Sequence, residues 1–132
     1  MVEDEPQVRE ALAWILSAAG AEVTGVGSAA AAMQGLADGR VDVLVSDIGL
    51  PGEDGHSLVR RARRAAAERG RPPVPSLALT AYARPEDHER ALEAGFDAYA
   101  AKPVYPADLI RAVSTLAGRT APAGDSMPAA TD

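Results

Sequence analysis

Two hydrophobic periods alternate along the chain. Apolar residues recur at helical spacing over residues 8–19 and 109–116, and short apolar or β-branched runs such as residues 41–46 separate the helical stretches. Helix caps divide them further, with Pro6, Ser28, Pro85 and Pro106 at predicted starts and glycines at predicted ends. The pattern predicts helices over residues 6–19, 28–38, 56–69, 85–94 and 106–117, and strands over 1–4, 21–26, 41–46, 76–79 and 96–101.

Strands that alternate with helices indicate an α/β fold, with an open parallel sheet covered by helices on both faces. The first predicted strand is too short for this fold. Only residues 1–4 precede the first helix, whereas strands usually hold five or six residues. We expect either a piece of a longer protein whose first strand begins upstream, or a truncated strand.

The 132 residues, 13.6 kDa, are the size of one domain. We assign residues 1–118 to it. Residues 119–132 have no periodicity and are rich in small residues, proline and glycine, which predicts a disordered C-terminal tail.

Charge and composition exclude several classes of protein. A net charge of −6 and a pI near 4.9 argue against a nucleic-acid-binding surface. The chain has no cysteine, which excludes disulfides and thiolate zinc sites. It has no long apolar run and no secretory signal at its acidic start. We therefore expect a cytoplasmic domain without membrane contact.

Polar side chains follow four predicted strands where those strands end. They are Glu3 and Asp4, then Asp47, Thr80 and Lys102. Because ligands of open parallel sheets bind beyond the carboxyl ends of the strands, we expect these side chains to share one edge. At about 4 Å and an effective dielectric near 20, each carboxylate pair costs on the order of 4 kcal/mol. Such a cluster favours a cation, and oxygen ligands suit Mg²⁺ or Mn²⁺.

Lys102 is the single lysine beside twelve arginines, which indicates a specific use for a compact ammonium group. A dication with Lys102 and Thr80 would suit phosphoryl transfer, since that chemistry depends on positioning and charge neutralisation. A carboxylate such as Asp47 can itself be the nucleophile.

Together these motifs resemble the receiver domain of two-component response regulators. They are Glu3-Asp4, Asp47 in SDIGLPGEDG, Thr80 in ALTAYA, and Lys102-Pro103. The resemblance covers residues 1–118 and implies a flavodoxin-like, five-stranded parallel sheet of order 2-1-3-4-5. Several stretches look like the C-terminal receivers of hybrid sensor histidine kinases, and a stand-alone regulator remains the alternative.

The resemblance implies a role for each site residue. Asp47 would accept a phosphoryl group from a phosphohistidine on a histidine kinase or histidine phosphotransfer domain. Mg²⁺ would be held by Asp47, by Asp4 directly, by Glu3 mainly through water, and by the backbone carbonyl of Gly49. Lys102 would pair with the carboxylate and then with the phosphoryl oxygens.

Three further residues belong to the implied switch. Thr80 would turn its hydroxyl onto the phosphoryl group, Tyr99 would move inward, and a cis bond before Pro103 would aim Lys102 into the site. Phosphorylation would then change the face formed by the fourth helix, the last strand and the fifth helix. The domain would be a switch and not a turnover enzyme, limited to self-phosphorylation and slow autodephosphorylation.

The chain departs from its relatives beside the acceptor. Gly49 has no side chain to guide a hydrolytic water, Tyr82 is bulky beside the entrance, and Ala81 leaves the pocket open. We hypothesise that side chains at 49 and 82 do not speed dephosphorylation, which polar substitutions and timed decay of the acyl phosphate would test.

Two other classes of function stay open. One is a Mg²⁺-dependent phosphohydrolase with an aspartate nucleophile, although such enzymes generally place a second acid where Gly49 stands. The other is an unphosphorylated, receiver-like interaction module, against which the complete acidic set argues.

The remaining conspicuous residues have plainer interpretations. A basic run on the third helix is expected to be a solvated face; it comprises Arg60, Arg61, Arg63 and Arg64. We expect His56 and His88 at the surface and Trp14 partly buried. Gly25 and Gly27 do not form a dinucleotide-binding fingerprint, because no third glycine follows at the required spacing.

Overall fold

The computed structural model describes residues 1–81 and 84–118. Tyr82 and the predicted tail of residues 119–132 lie outside the described residues.

Helices and strands alternate as the hydrophobic pattern predicts. Over the described residues the helices are α1 (Pro6–Ala18), α2 (Ala29–Leu36), α3 (Gly55–Glu68), α4 (Pro85–Ala94) and α5 (Pro106–Gly118), and the strands are β1 (Leu44–Asp47), β2 (Ser76–Thr80) and β3 (Ala98–Ala101). Ser28 caps α2 by accepting a hydrogen bond from the Ala31 amide at 3.2 Å. The helix limits predicted from prolines, Ser28 and glycines therefore agree with the observed limits to within two residues.

The sheet is parallel, in the order β1-β2-β3. Asp47 pairs with Leu79 in the register of β1 and β2. Beyond β1, Val2 forms isolated parallel bridges to Ser46 on one side and to Val26 on the other. The spatial order is thus the segment at Val26, then Val2, then the three strands, which is the predicted 2-1-3-4-5 order.

The prediction of five strands is wrong in detail, because the described residues contain three strands and two bridged segments. A strand needs consecutive paired residues, and each segment pairs through a single bridge position. Val2 still donates to Val45 O at 2.7 Å and accepts from the Asp47 amide at 3.0 Å. In this chain the first predicted strand thus pairs on each side through Val2 alone.

The last strand starts two residues later than predicted. The Phe96 amide donates to Ala91 O at 3.0 Å, a hydrogen bond that closes the turn after α4. Gly95, with φ of 122°, turns the chain there. Phe96 is therefore buried between the layers, and pairing with β2 begins at Ala98.

Both faces of the sheet are covered by helices. On one face α1 and α5 bury Leu12, Leu16, Leu109 and Leu116 against strand residues such as Leu79. The other face packs against α2, α3 and α4 through two further clusters that contain Leu58 and Phe96. The carboxyl ends of the strands lie between these layers, which is where a site is expected.

The surface differs from expectation at one aromatic residue. Trp14 is 73% exposed on α1, so the prediction of partial burial is wrong. The side chain lies off the apolar stripe that α1 buries. The four arginines of the basic run are all exposed on α3, as predicted. In the described part of the chain no helix is long and apolar enough to span a membrane.

Candidate functional site

Three carboxylates converge at the carboxyl edge of the sheet. One oxygen each from Glu3, Asp4 and Asp47 lies within 4.8 Å of the others. Glu3 is fully buried and Asp47 is 8% exposed, whereas Asp4 is partly exposed. The bridges of Val2 explain this arrangement, because they place residues 3 and 4 directly beside the end of β1.

Lys102 lies against two members of this carboxylate cluster. Its Nζ is 2.7 Å from Glu3 Oε1 and 3.3 Å from Asp47 Oδ2. The Lys102 amide donates to Thr80 O at 2.7 Å, a hydrogen bond of the last register pair of β2 and β3, Thr80 and Ala101. The Lys102–Pro103 peptide bond is cis.

The charge of Lys102 is favoured by its neighbours. Burial by itself lowers the pKa of the ammonium group, but the hydrogen bond to Glu3 and the charges of Asp47 and Glu3 outweigh it, so the net pKa is raised. Lys102 is therefore cationic at neutral pH and offsets part of the repulsion among the carboxylates.

Backbone amides hold the carboxylates in place. The Gly49 amide donates to Asp47 Oδ1 at 3.2 Å, and the Glu5 amide donates to Glu3 Oε2 at 3.2 Å. Both oxygens of Glu3 thus already have partners, one of them Lys102. Asp47 and the partly exposed Asp4 leave more room for a ligand.

The donor set fits a hard divalent cation. Carboxylate oxygens at close spacing, with one of the three side chains partly exposed, suit Mg²⁺ with several retained waters. The full burial of Glu3 and its contact with Lys102 agree with an indirect role for that residue.

Thr80 and Tyr99 lie at different depths. Thr80 ends β2, is 5% exposed, and follows Leu79, the register partner of Asp47. Tyr99 pairs with Ala78 two residues further from the edge. Its ring stacks on His88 of α4, with centroids 4.9 Å apart. Burial, together with the Asp87 charge, raises the pKa of Tyr99. Thr80 is thus at the site edge, whereas Tyr99 lies between the sheet and α4.

One histidine prediction is wrong. His88 is exposed as expected, but His56 is partly buried, and its Nε2 has no hydrogen-bond partner among the described residues. The His56 ring meets Phe96 edge-on at 6.3 Å. Burial lowers the pKa of His56.

Sequence reasoning also missed Gly55, the first residue of α3. Its amide donates to Ile48 O at 2.9 Å, and a Cβ on it would lie 2.6 Å from Asp47 O. The start of α3 thus rests directly on the backbone of Asp47. A glycine just after the N-cap Asp54 is the sequence signal that indicates this close approach.

Comparison with known proteins agrees with this geometry. The sequence model of the response regulator receiver domain matches residues 1–114. The chain belongs to this family. It is a receiver domain of two-component signalling, and the resemblance read from the sequence is confirmed, as is the flavodoxin-like fold.

Individual proteins are also similar to this chain in sequence. A 14.6 kDa protein of Leptolyngbya boryana is 42% identical over 113 residues, covering 86% of this chain and 84% of that protein. The sensor protein GacS of Pseudomonas syringae is 31% identical over 112 residues, covering 85% of this chain but 12% of GacS. This receiver is therefore similar to a small part of that sensor protein.

A solved structure supports the kinship with kinase receivers. The signal receiver domain of a histidine kinase from Syntrophus aciditrophicus superposes with a TM-score of 0.78 at 29% identity. The superposition covers 98% of this chain and 93% of that one. Family membership makes this domain a signalling module.

Proposed function

We propose that this receiver accepts a phosphoryl group on Asp47 from a phosphohistidine of a cytoplasmic histidine kinase or histidine phosphotransfer domain, in a Mg²⁺-dependent reaction. The observation that carries the proposal is the contact of Lys102 with two of three clustered carboxylates. The unit that does this comprises residues 1–118.

Asp47 is the nucleophile in this reaction. One of its carboxylate oxygens forms a P–O bond as the P–N bond to the donor histidine breaks, and the imidazole leaves with that electron pair. Lys102 pairs with the Asp47 carboxylate before transfer, its ammonium nitrogen 3.3 Å from Asp47 Oδ2, and with the phosphoryl oxygens afterwards. A cation at this distance stabilises charge that develops on the phosphoryl oxygens.

Asp4, Asp47 and the Gly49 carbonyl would hold Mg²⁺, with Glu3 acting mainly through water. When bound, the ion supplies neutralisation of carboxylate and phosphoryl charge. Glu3 is occupied by Lys102 and the Glu5 amide, and so it anchors the ammonium group on the side away from solvent.

Phosphorylation changes the surface of the domain through movements of Thr80 and Tyr99. A phosphoryl group adds about −1.5 to −2 charges, which the Thr80 hydroxyl can meet at the end of β2. Tyr99 then moves inward, away from its stacking on His88, and the face formed by α4, β3 and α5 changes. Two states a few kcal/mol apart are enough for such a switch.

The test is phosphorylation by phosphoramidate, a small P–N donor, followed by intact-mass measurement. The wild type should gain about 80 Da when Mg²⁺ is present and nothing when it is chelated. Asp47→Asn should gain nothing. The control is Asp42→Asn, which removes an exposed carboxylate outside the cluster and should be phosphorylated like the wild type.

Two outcomes would contradict the proposal. Fast multiple turnover of the donor without an accumulated adduct would indicate a phosphohydrolase. No adduct under any condition would indicate an interaction module that is not phosphorylated.

A further inference from the structure

Two glycines that match no nucleotide-binding pattern lie against one side chain of α1. A Cβ on Gly27 would be 3.0 Å from Arg9 Nη1, and a Cβ on Gly25 would be 3.2 Å from Arg9 Cγ. The Arg9 side chain therefore passes along the segment that carries both glycines. Their missing side chains leave the space that the arginine occupies.

The guanidinium group of Arg9 ends on a backbone carbonyl of the acidic pair. Arg9 Nη1 donates to Glu3 O at 2.7 Å. This carbonyl belongs to the peptide unit that joins Glu3 to Asp4, two of the three acids that precede α1. The bond therefore holds the orientation of that peptide unit.

The same carbonyl is where the backbone ladder stops. Val26 donates to Met1 O at 2.8 Å and accepts from the Glu3 amide at 3.0 Å, as in a parallel pair. The next rung of such a ladder would run from the Ser28 amide to Glu3 O. Ser28 instead caps α2, and the hydrogen bond to Glu3 O comes from Arg9.

The first predicted strand has one bridge position on each side, at Val2. Three carboxylates within 4.8 Å repel one another just beyond it. A short segment with few rungs resists this repulsion poorly, and an unpartnered carbonyl of a fully buried residue is costly. Arg9 meets both needs, because its charged donor satisfies the carbonyl and adds one more hydrogen bond to the short segment.

We propose that Arg9 is a positioning residue for the divalent-cation site, that it replaces the missing rung at Glu3 O, and that Gly27 is glycine to admit it. This inference rests on the proposed Mg²⁺-dependent function. It deepens that function by adding a residue that touches neither the ion nor the phosphoryl group.

An arginine suits this task better than a lysine. Its planar fork directs a donor nitrogen at a fixed point while its stem packs along Gly25. A lysine keeps the charge but holds the carbonyl less rigidly. Arg9→Lys is therefore the conservative variant, and it should retain part of the effect.

The test measures Mg²⁺ affinity by titration calorimetry at fixed ionic strength, on protein shown to be folded by circular dichroism. Removing a partner that orients a metal ligand typically weakens metal binding about tenfold or more. We expect Arg9→Met to weaken Mg²⁺ binding about tenfold and Arg9→Lys to weaken it less. Arg111→Met is the control, because that arginine is exposed and pairs with Asp108 on α5.

Gly27→Ala supplies a double-mutant cycle. The new methyl group would press on Arg9 Nη1, so the single variant should weaken Mg²⁺ binding. In the Arg9→Met background the same change should have no further effect, since the group that it displaces is gone. If the two changes caused only a structural defect, they would lower stability, but the effect of Gly27→Ala on Mg²⁺ affinity would not depend on Arg9.

The outcomes separate the two proposals. A wild type that binds no Mg²⁺ would overturn the metal site, and the role of Arg9 with it. A wild type that binds Mg²⁺ and an Arg9→Met variant with equal affinity would overturn this inference alone. Equal effects of Gly27→Ala in both backgrounds would overturn it as well. Should Arg9→Met fail to fold, unchanged affinity in both Arg9→Lys and Gly27→Ala would refute it.

Discussion

Whether a buried ionisable residue can carry a charge depends on the hydrogen-bond partners and charges that surround it. Glu3 is fully buried and yet suits a charged site, because Lys102 and a backbone amide take its two oxygens. Removing Lys102 would leave the buried charge of Glu3 without compensation, which would destabilise the folded protein. His56 is the opposite case, since its buried Nε2 has no partner among the described residues.

His56 makes stability depend on pH. Its pKa is about 6.5 when unfolded and lower when folded, because burial disfavours the charged ring. On acidification the unfolded state takes up the proton first. Stability should therefore be unaffected by His56 above about pH 6.5 and should fall as pH drops toward the folded pKa.

Urea unfolding at pH 7.5 and 5.5 measures this effect. The loss of stability on acidification should be smaller in His56→Gln than in the wild type. His88→Gln, at an exposed position, should behave as the wild type does. Identical pH dependence in His56→Gln and the wild type would refute the assignment.

Helices α1 and α3 contact the backbone of the carboxylate residues through their N-terminal parts. The loop after β1 returns so that α3 begins on the backbone of Asp47, and Gly55 makes this approach sterically feasible. Helix α1 reaches the acidic pair through Arg9 in a similar way. The position of each carboxylate thus depends on how closely a neighbouring helix can dock.

Substitution of Gly55 by alanine tests the docking of α3. The new Cβ would lie 2.6 Å from Asp47 O and 2.9 Å from Ile48 Cα, and both are backbone atoms that cannot rotate away. We expect a loss of about 1–3 kcal/mol in the free energy of unfolding. The measurement is the urea midpoint.

Gly35→Ala in α2 is the matched control. Apart from its chain neighbours and its own helix backbone, nothing lies within 4 Å of its added Cβ, so this change should stabilise the protein by about 0.5–1 kcal/mol. Equal effects at the two glycines would show that space near Asp47 does not decide the outcome.

The molecule as a whole is negatively charged, and three of its carboxylates lie together at one edge of the sheet. Its net charge is −6, and three carboxylates lie together where the sheet, α1 and α3 meet. Folding brings these charges close, so a cation that binds the folded state alone stabilises it by mass action.

Thermal unfolding with and without Mg²⁺ measures this linkage. At tenfold excess over the dissociation constant, Mg²⁺ should add about 1.4 kcal/mol and raise Tm by roughly 5 °C. Asp4→Asn should have a higher Tm than the wild type without Mg²⁺, since one repulsion is lost, and should gain little from the ion. Sodium chloride at matched ionic strength controls for screening. An equal Mg²⁺ effect in the wild type and Asp4→Asn would contradict the role of Asp4.

Local sequence determined the helices of the described residues and the edge at which the site forms, whereas two of the five predicted strands are only bridged segments. Proline starts, glycine ends and periodicity act over a few residues, and so they located all five helices and placed Asp47, Thr80 and Lys102 at or just beyond strand ends.

Only tertiary packing decided burial and partners. Whether Trp14 is covered and whether His56 has a partner depend on residues distant in sequence, and the path of Arg9 to Glu3 O depends on the space beside Gly25 and Gly27. Periodicity assigns a residue to a face of its helix, but it does not state how close the next helix or segment comes. How closely the elements approach one another decides whether the five polar residues only share an edge or form a site. In this structure they form a site, in which Lys102 contacts both Glu3 and Asp47.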